Sequence, residues 1–392
     1  MRVEIEPSRI EGEVGAPPSK SLGIRYVLLS LLTEVSLEQL PDSDDVKVAT
    51  KVVQDLREGR EELYLGGSAT TLRMIIPILL AMGRKMKLDG DETLRRRPLR
   101  ALKSLSAKFS SFNLPLTVEG HLNEEVEIEG WESSQYVSGL IYALCLKGGG
   151  RIKLIPPISS KGYIYMTADV IRAVNGEVRF QDNVIEVRCG KLSKFRGKVP
   201  GDYALASFYA VGAILTGGKV RISNLYPPPN YVGDHVIVEM LRESGAKSQV
   251  NQDTWTVEYR GQVRPLHVSI NDVPDLAPSL AGLMALGSGE SIMEDVERLR
   301  LKESDRIATI LDTLSRFGIR GSYDAGKITV TGGNPRRGEV ECPNDHRIAM
   351  MAGDLALKAG GSVSRAECVR KSNPRFWTDI SSLGGKLTLK GS

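Results

Sequence analysis

Six runs of apolar residues recur along the chain, each of helical length and each ending in Gly or Thr. They occupy residues 22–33, 72–83, 136–148, 205–217, 276–287 and 348–360. A run that is apolar on every face, rather than along one stripe, is typical of a helix buried on all sides. The pattern therefore predicts six buried helices.

The segments between these runs also resemble one another. Each reads as strand, loop, amphipathic helix, strand and strand at 152–187, 220–257, 292–330 and 363–389, and more loosely at 37–65 and 86–128. Such a repeat predicts buried helices faced by sheets, with the polar side of the second helix outward. Because single cores stop growing near ~250–300 residues, 392 residues predict two lobes of three units each.

The boundary between the lobes is predicted at two points of the chain. We expect lobe one to hold residues 1–12 and 200–392, and lobe two to hold residues 13–199. The stretch 198–201, Lys-Val-Pro-Gly, is the expected hinge.

Short polar clusters precede the apolar runs, as Ser19, Lys20 and Ser21 precede the first. Helix starts carry unpaired N–H groups and about half a positive charge, so starts with added hydroxyls and cations predict a site for anions. Lys20 and Arg25 could meet one anion with Ser21 at the cap, although a capped helix with solvated charges explains this segment alone equally well. Arg73 stands in an otherwise apolar run and needs an anionic or multiply hydrogen-bonding partner.

Composition favours a globular protein of enzyme size, with 41% apolar residues, 26% charged residues and a net charge of +4. So small an excess does not indicate a general nucleic-acid surface. The apolar runs fall well short of the ~20 residues that span a bilayer, and we expect no secretory signal. Four widely spaced cysteines without a CxxC pair, and four histidines, predict reduced thiols in a cytoplasmic, metal-free protein.

Nine short motifs are spread over the whole chain. They are Pro-Ser-Lys-Ser at 18–21 with Arg25, Asp-Ser-Asp-Asp at 42–45, Thr-Thr-Leu-Arg at 70–73, Arg-Pro-Leu at 97–99, Ser-Ser-Gln at 133–135, Pro-Gly-Asp at 200–202, Lys-Glu-Ser-Asp-Arg at 302–306, Asn-Asp-His-Arg at 344–347, and Lys-Ser at 371–372 with Pro374. Together and in this order they resemble the EPSP synthase family of enolpyruvyl transferases. The resemblance implies an α/β fold, a two-lobed inside-out barrel of six βαβαββ repeats with three per lobe. It also implies a monomer that binds shikimate 3-phosphate and phosphoenolpyruvate, without a cofactor, nucleic acid or membrane.

The resemblance assigns side chains to each substrate. For shikimate 3-phosphate it implies Lys20, Ser21, Arg25, Ser133, Ser134, Gln135, Ser160, Tyr163, Asp275 and Lys302. For phosphoenolpyruvate it implies Lys20, Ala69, Arg97, Gln135, Arg306, Arg347 and Lys371. Hydroxyls at helix starts suit a phosphate, and a ligand with about three negative charges needs several fixed cations.

The reaction implied is an addition followed by an elimination, which needs a base near the acceptor hydroxyl and an acid near the methylene of phosphoenolpyruvate. Asp275 matches the base, although Pro274 before it also permits a plain helix cap. Glu303 matches the carboxylate that exchanges protons, although a solvated helix-surface charge is equally consistent. Lys20 and His346 are the neighbours that could pass protons, and the sequence does not decide among these three. Asp305 is expected to orient an arginine.

Two positions depart from the family pattern. Ala69 stands where the family usually has Gly in the loop that touches phosphoenolpyruvate, which predicts natural tolerance of the inhibitor glyphosate. Arg298 stands where some members have an Asn that contacts shikimate 3-phosphate, so that contact is open here.

Three other functions remain to be weighed. A UDP-N-acetylglucosamine enolpyruvyl transferase usually has a reactive Cys just before the counterpart of Arg97, whereas the first cysteine here is Cys145. An RNA 3'-phosphate cyclase is disfavoured by the motifs at 302–306 and 133–135. A non-catalytic phosphate-binding module would not require Asp275 and Glu303 among the cations.

Overall fold

The computed structural model describes residues 1–132 and 134–391, which form two compact units. Unit 1 comprises Met1–Pro18 and Pro200–Ser392, and unit 2 comprises Ser19–Val199. The first boundary between the lobes, which was predicted after residue 12, therefore lies after Pro18. The reason is that Glu11–Gly15 pairs in parallel with Lys219–Ser223 of unit 1, which fixes the chain there beyond residue 12.

Twelve α-helices form within the described residues. They are α1 (Lys20–Leu29), α2 (Asp44–Arg57), α3 (Ala69–Met82), α4 (Glu92–Arg95), α5 (Ser134–Leu146), α6 (Lys161–Arg172), α7 (Tyr203–Thr216), α8 (Ile237–Glu243), α9 (Ala277–Met284), α10 (Arg306–Arg316), α11 (His346–Ala359) and α12 (Phe376–Ser382). None of them is long and apolar enough to cross a membrane.

The same part of the chain forms 22 strands. They are β1 (Arg2–Glu6), β2 (Glu11–Gly15), β3 (Val35–Leu37), β4 (Glu62–Tyr64), β5 (Met86–Asp89), β6 (Ala107–Phe109), β7 (Leu116–Gly120), β8 (Glu125–Glu129), β9 (Gly149–Ile155), β10 (Glu177–Gln181), β11 (Val184–Arg188), β12 (Phe195–Gly197), β13 (Lys219–Ser223), β14 (Lys247–Asn251), β15 (Thr254–Glu258), β16 (His267–Ser269), β17 (Glu290–Glu294), β18 (Arg320–Asp324), β19 (Lys327–Thr331), β20 (Gly338–Glu341), β21 (Gly361–Ser364) and β22 (Lys386–Lys390).

The sheets repeat one strand arrangement. Unit 1 has three sheets, ordered β2-β13-β15-β14, β16-β17-β19-β18 and β20-β21-β1-β22, and unit 2 has β4-β5-β7-β6 and β8-β9-β11-β10. In each, the first pair of strands is parallel and the other two pairs are antiparallel. The N-terminal β1 completes the last sheet. Among the described strands β3 pairs only with β12, so one repeat of unit 2 is reduced.

The six apolar runs form α1, α3, α5, α7, α9 and α11, as predicted. In α7 every residue except the last is buried, and α7, α9 and α11 belong to one hydrophobic core in unit 1. Gly83 and Gly217 end α3 and α7 with φ of 66° and 75°, a left-handed conformation that a residue with a side chain adopts only with strain. The predicted mixed α/β class with buried helices is confirmed.

The expectation of reduced thiols is wrong for this structure. Cys145 is bonded to Cys189 in unit 2, and Cys342 is bonded to Cys368 in unit 1. The partners lie 44 and 26 residues apart in sequence, so no local spacing pattern marks the pairs.

Candidate active site

A cluster of charged side chains lies where several elements of unit 1 begin or end. Asp275 is in the 3-10 turn Pro274–Leu276 that leads into α9, and Lys302 and Glu303 lie just before α10. Arg306 begins α10, and Lys371 ends the 3-10 turn Ala366–Lys371. The start of α11 completes the cluster with its cap Asp345, followed by His346 and Arg347.

Arg306 is the centre of this cluster. Its side chain is fully buried, and Nε and Nη2 donate to the two carboxylate oxygens of Asp345 at 2.9 and 3.1 Å. Nη1 donates to Asp275 at 3.1 Å, and Nη2 also donates to Glu303 at 2.8 Å. A planar guanidinium with five N–H donors can hold three carboxylates in one fixed arrangement, which a lysine ammonium cannot do.

Asp275 lies among three cations. Besides Arg306, its carboxylate is 3.6 Å from Lys302 Nζ and 3.7 Å from Arg347 Nη2. Burial by itself would raise the pKa of Asp275, but Lys302, Arg347 and Arg306 hold that pKa well below its usual range. The side chain does not act as the plain helix cap that the sequence left open, because the capping position of this turn is Val273.

Lys302 has a pKa lowered to about 8, mainly because burial disfavours its charged form. Asp275 opposes this shift, while the nearby charge of Arg298 adds to it. Arg298 is itself buried and donates to the carbonyl of Asn271 at 3.3 Å. Arg298 therefore tunes the charge of Lys302.

Glu303 bridges two cations, Arg306 and Lys371, whose Nζ lies 3.6 Å from its carboxylate. The surface alternative for Glu303 is wrong, since its side chain is only 11% exposed. His346 is buried at the start of α11 beside Arg347. Asp305 caps α10 and lies 3.1 Å from Arg300, so it orients an arginine as expected.

In unit 2, Lys20 begins α1 and pairs with Asp45 at 3.1 Å, both side chains being nearly buried. Arg25 is 1% exposed and donates to Thr167 Oγ1 at 2.8 Å and to Ser138 Oγ at 3.2 Å. The structure thus holds these two cations by different protein partners, whereas the sequence suggested a shared anion.

Another group in unit 2 surrounds the start of α3. Ala69 is the buried first residue of this helix, and Thr70 Oγ1 accepts from Gln135 Nε2 at 2.7 Å. Arg73 donates to Gln135 at 3.2 Å and to the Pro98 carbonyl at 3.4 Å, which supplies the multiply hydrogen-bonding partner expected for it.

The remaining predicted residues of unit 2 are placed as follows. Arg97 is buried after α4, and Ser134 begins α5. Ser160 occupies the residue before α6 with φ of 52°, and the ring centroid of Tyr163 lies 5.7 Å from the Arg25 guanidinium. Ser21 is the second residue of α1. Ser133 lies outside the described residues. Within 1–132 and 134–391, no three His, Cys, Asp or Glu side chains are grouped to hold a metal ion.

The sequence reasoning gave no role to two carboxylates, Asp345 and Asp45. Asp345 is completely buried, and Asp45 lies on the buried face of α2 beside Val46 and Ala49. An acidic residue within the apolar stripe of an amphipathic helix needs a buried partner, and this signal could have identified Asp45. Asp345 had a weaker signal, its place as a helix cap.

Solved structures of other proteins share the fold of this chain. An EPSP synthase from Acinetobacter baumannii is 22% identical, with a TM-score of 0.77 over 99% of this chain and 100% of that chain. The enolpyruvyl transferase NikO from Streptomyces tendae is 16% identical, with a TM-score of 0.76 over 99% of this chain and 98% of that one. The chain therefore has the fold of an enolpyruvyl transferase.

Sequence comparison shows the family. A sequence model described as EPSP synthase (3-phosphoshikimate 1-carboxyvinyltransferase) matches residues 58–380. Proteins named 3-phosphoshikimate 1-carboxyvinyltransferase from Sulfurisphaera tokodaii and Saccharolobus solfataricus are 50% and 45% identical, each match covering 100% of both chains. The chain belongs to the EPSP synthase family, and the resemblance drawn from the nine motifs is confirmed.

Proposed function

We propose that the protein transfers the enolpyruvyl group of phosphoenolpyruvate to the 5-hydroxyl of shikimate 3-phosphate and releases phosphate, a step of aromatic amino-acid biosynthesis. The observation that carries this proposal is the buried cluster of unit 1, in which Arg306 holds Asp275 and Glu303 in fixed positions. Two carboxylates among several cations suit a reaction that moves two protons next to anionic substrates.

The charges of unit 1 support binding of phosphoenolpyruvate. Four cations, Lys302, Arg306, Arg347 and Lys371, face three carboxylates in this cluster, so a positive excess remains. We assign Arg306, Arg347 and Lys371 to phosphoenolpyruvate, with Lys20, Ala69, Arg97 and Gln135 of unit 2. We assign Lys302 and Asp275 to shikimate 3-phosphate, with Lys20, Ser21, Arg25, Ser133, Ser134, Gln135, Ser160 and Tyr163 of unit 2.

Asp275 is the proposed base for the 5-hydroxyl. Without substrate its pKa is far below neutral because Lys302, Arg347 and Arg306 surround it, and a carboxylate with so low a pKa is a weak base. A phosphoenolpyruvate anion beside the same cations would offset their charge and raise the pKa of Asp275. Asp275 is thus a stronger base once phosphoenolpyruvate is bound. Glu303, Lys20 and His346 remain the candidates for proton exchange at C3.

The direct test mixes the protein with shikimate 3-phosphate and phosphoenolpyruvate and measures phosphate release, with a chelator present in one arm. Release in both arms is expected, with a new enolpyruvyl ether at the 5-oxygen by NMR. UDP-N-acetylglucosamine serves as the control acceptor. The proposal would be overturned if phosphate were released only with UDP-N-acetylglucosamine, or with neither of the two acceptors.

We also propose that the enzyme is a cytoplasmic monomer that acts on small molecules. Its two disulfides do not exclude this compartment, because intracellular proteins of hyperthermophiles are also rich in disulfides. The net charge of +4 gives no strong attraction to nucleic acid or anionic lipid. A sedimentation experiment that finds a dimer at catalytic concentrations would contradict the monomer.

Binding of shikimate 3-phosphate is expected to weaken as the pH rises above about 8, the pKa of Lys302. Burial lowers this pKa, so the ammonium is present below pH 8 and is lost above it. If one proton is required, the dissociation constant rises up to about tenfold per pH unit. The ligand does not titrate there, since a phosphate monoester has its second pKa near ~6. Calorimetry from pH 6.5 to 9.5 measures this, and Lys302→Arg, which stays charged, serves as the control. A flat parent profile would contradict the prediction.

Replacing Ala69 by Gly is expected to tighten inhibition by glyphosate. Ala69 is a buried residue at the start of α3, and its Cβ is proposed to narrow the phosphoenolpyruvate site. Overpacking by a methyl group typically costs about 1–3 kcal/mol, or about one to two decades in affinity. The shorter phosphoenolpyruvate should be affected less. Paired inhibition curves of parent and Ala69→Gly test this, and unchanged curves would show that Ala69 does not line that site.

A further inference from the structure

We propose that the Cys342–Cys368 disulfide positions the cations of unit 1 that hold phosphoenolpyruvate. Reducing the disulfide then weakens binding of this substrate without unfolding the protein. The identity of the substrate rests on the proposed function. The position of the crosslink does not.

The disulfide joins the two segments that carry these cations. Cys342 directly follows β20 and stands three residues before Asp345, the cap of α11. Cys368 lies in the 3-10 turn Ala366–Lys371, three residues before Lys371. The two sulfurs lie 3.4 and 4.0 Å from the carbonyl oxygen of Asp345, and since a disulfide has no S–H these are packing contacts. The crosslink therefore fixes the turn against the start of α11.

Both ends of the disulfide lead to the same charged cluster. From Cys342 the path runs through Asp345, whose carboxylate holds Arg306 and whose Oδ1 accepts from the backbone N–H of Arg347 at 3.1 Å. From Cys368 it runs to Lys371, which pairs with Glu303, the other partner of Arg306. A shift of the turn would move Lys371 relative to Arg306 and Arg347.

The turn has other anchors, which explain why reduction should displace it and not unfold it. The N-terminal ammonium of Met1 pairs with Glu367 at 3.1 Å, and the Met1 carbonyl accepts from the N–H of Ala366. The indole N–H of Trp377 donates to the Ala366 carbonyl at 2.9 Å. These contacts hold the beginning of the turn, whereas Lys371 is at its end.

The second disulfide is a natural control. Cys145 is near the C-terminal end of α5, and Cys189 directly follows β11. Ser134 and Gln135, the predicted substrate ligands, begin the same helix, ~16 Å away along its axis at 1.5 Å per residue. Breaking this bond should leave the substrate ligands in place.

The test uses a phosphine reductant. The phosphine attacks the partly exposed sulfur of Cys368, the S–S bond breaks with Cys342 leaving as a thiolate, and water releases the second thiol as the phosphine becomes its oxide. Thiol titration under denaturing conditions should find no free thiol in the untreated protein and four after reduction. Four thiols in untreated protein would overturn the proposal.

The decisive comparison uses two double variants. Cys145→Ala/Cys189→Ala keeps only the crosslink of unit 1, and Cys342→Ala/Cys368→Ala keeps only that of unit 2. Since a misplacement of about 1 Å at a reacting group can cost ~10²-fold, we expect a smaller shift at binding cations to raise KM for phosphoenolpyruvate ~3- to 30-fold. This rise should follow reduction of the first variant, with kcat and KM for shikimate 3-phosphate nearly unchanged. Reduction of the second should change nothing further.

Hydrogen exchange supplies a readout that does not depend on turnover. Amides of 366–373 should exchange faster on reduction of the first variant, while those of α7 stay protected. If the oxidised parent releases no phosphate, the proposed function fails, and calorimetric affinity for phosphoenolpyruvate then replaces KM in judging the crosslink. If the parent is active and reduction leaves KM and exchange unchanged, the positioning role is wrong and the proposed function stands. If an alanine variant does not fold, the same KM and exchange measurements on the parent with and without reductant test the proposal.

Discussion

Replacing Asp275 by Asn is expected to lower turnover by ~10²–10⁴-fold while shikimate 3-phosphate still binds within about tenfold of the parent affinity. The amide keeps the shape of the carboxylate but cannot take a proton from the 5-hydroxyl. It also removes one negative charge from beside Lys302, Arg306 and Arg347, so the cluster becomes more positive. Affinity for phosphoenolpyruvate should therefore hold or increase, which separates this variant from one that is simply unfolded.

The matched control for this variant is Asp312→Asn. Asp312 is an aspartate of α10 with a side chain 61% exposed, and it pairs with Arg316 at the surface. Rapid-mix phosphate release and calorimetry on both variants measure turnover and binding separately. If Asp275→Asn turns over within about tenfold of the parent, Asp275 is not the base.

The fold was largely predictable because its signals are local. The runs at 205–217 and 348–360 are apolar at nearly every position, and a helix so uniformly apolar must be buried. The reduced repeat was less predictable, since whether β3 joins a full sheet depends on strands distant in sequence. The same limit applies to β1, which completes a sheet formed by the C-terminal end of the chain.

The candidate site was predictable as a set of cations and much less so as a set of pairs. A motif identified Arg306, and the family resemblance assigned Asp275. That Asp345 binds Arg306 from 39 residues away in sequence follows only from the packing of α10 against α11. The disulfides were missed for the same reason. Asp354 is a charged residue type that did not mislead the prediction of a buried helix. It lies inside the apolar run of α11, and burial raises its pKa well above the usual range, which favours the neutral carboxyl group.

Replacing Asp345 by Asn is expected to lower the free energy of unfolding by about 3–5 kcal/mol, the usual effect of removing one partner of a buried ion pair. Asp345 and Arg306 are both completely buried, so solvent does not screen their interaction. The asparagine still caps α11, but its amide presents N–H donors to a guanidinium that has only donors of its own. Arg306 then keeps Asp275 and Glu303 as its charged partners in this cluster. At ~2–4 °C per kcal/mol for a unit of this size, the melting temperature should fall by roughly 10 °C.

Asp305→Asn is the matched control, because Asp305 also caps a helix and also contacts an arginine, but at the surface. Its side chain and that of Arg300 are each 42% exposed, and exposed pairs contribute only about 0–1 kcal/mol. Thermal and chemical unfolding of both variants measures the difference, and turnover should fall only in Asp345→Asn, where Arg306 loses its bidentate partner and shifts relative to Asp275. Equal losses of stability in the two variants would show that Asp345 serves as a cap alone, with Arg306 held in place by its other two carboxylates.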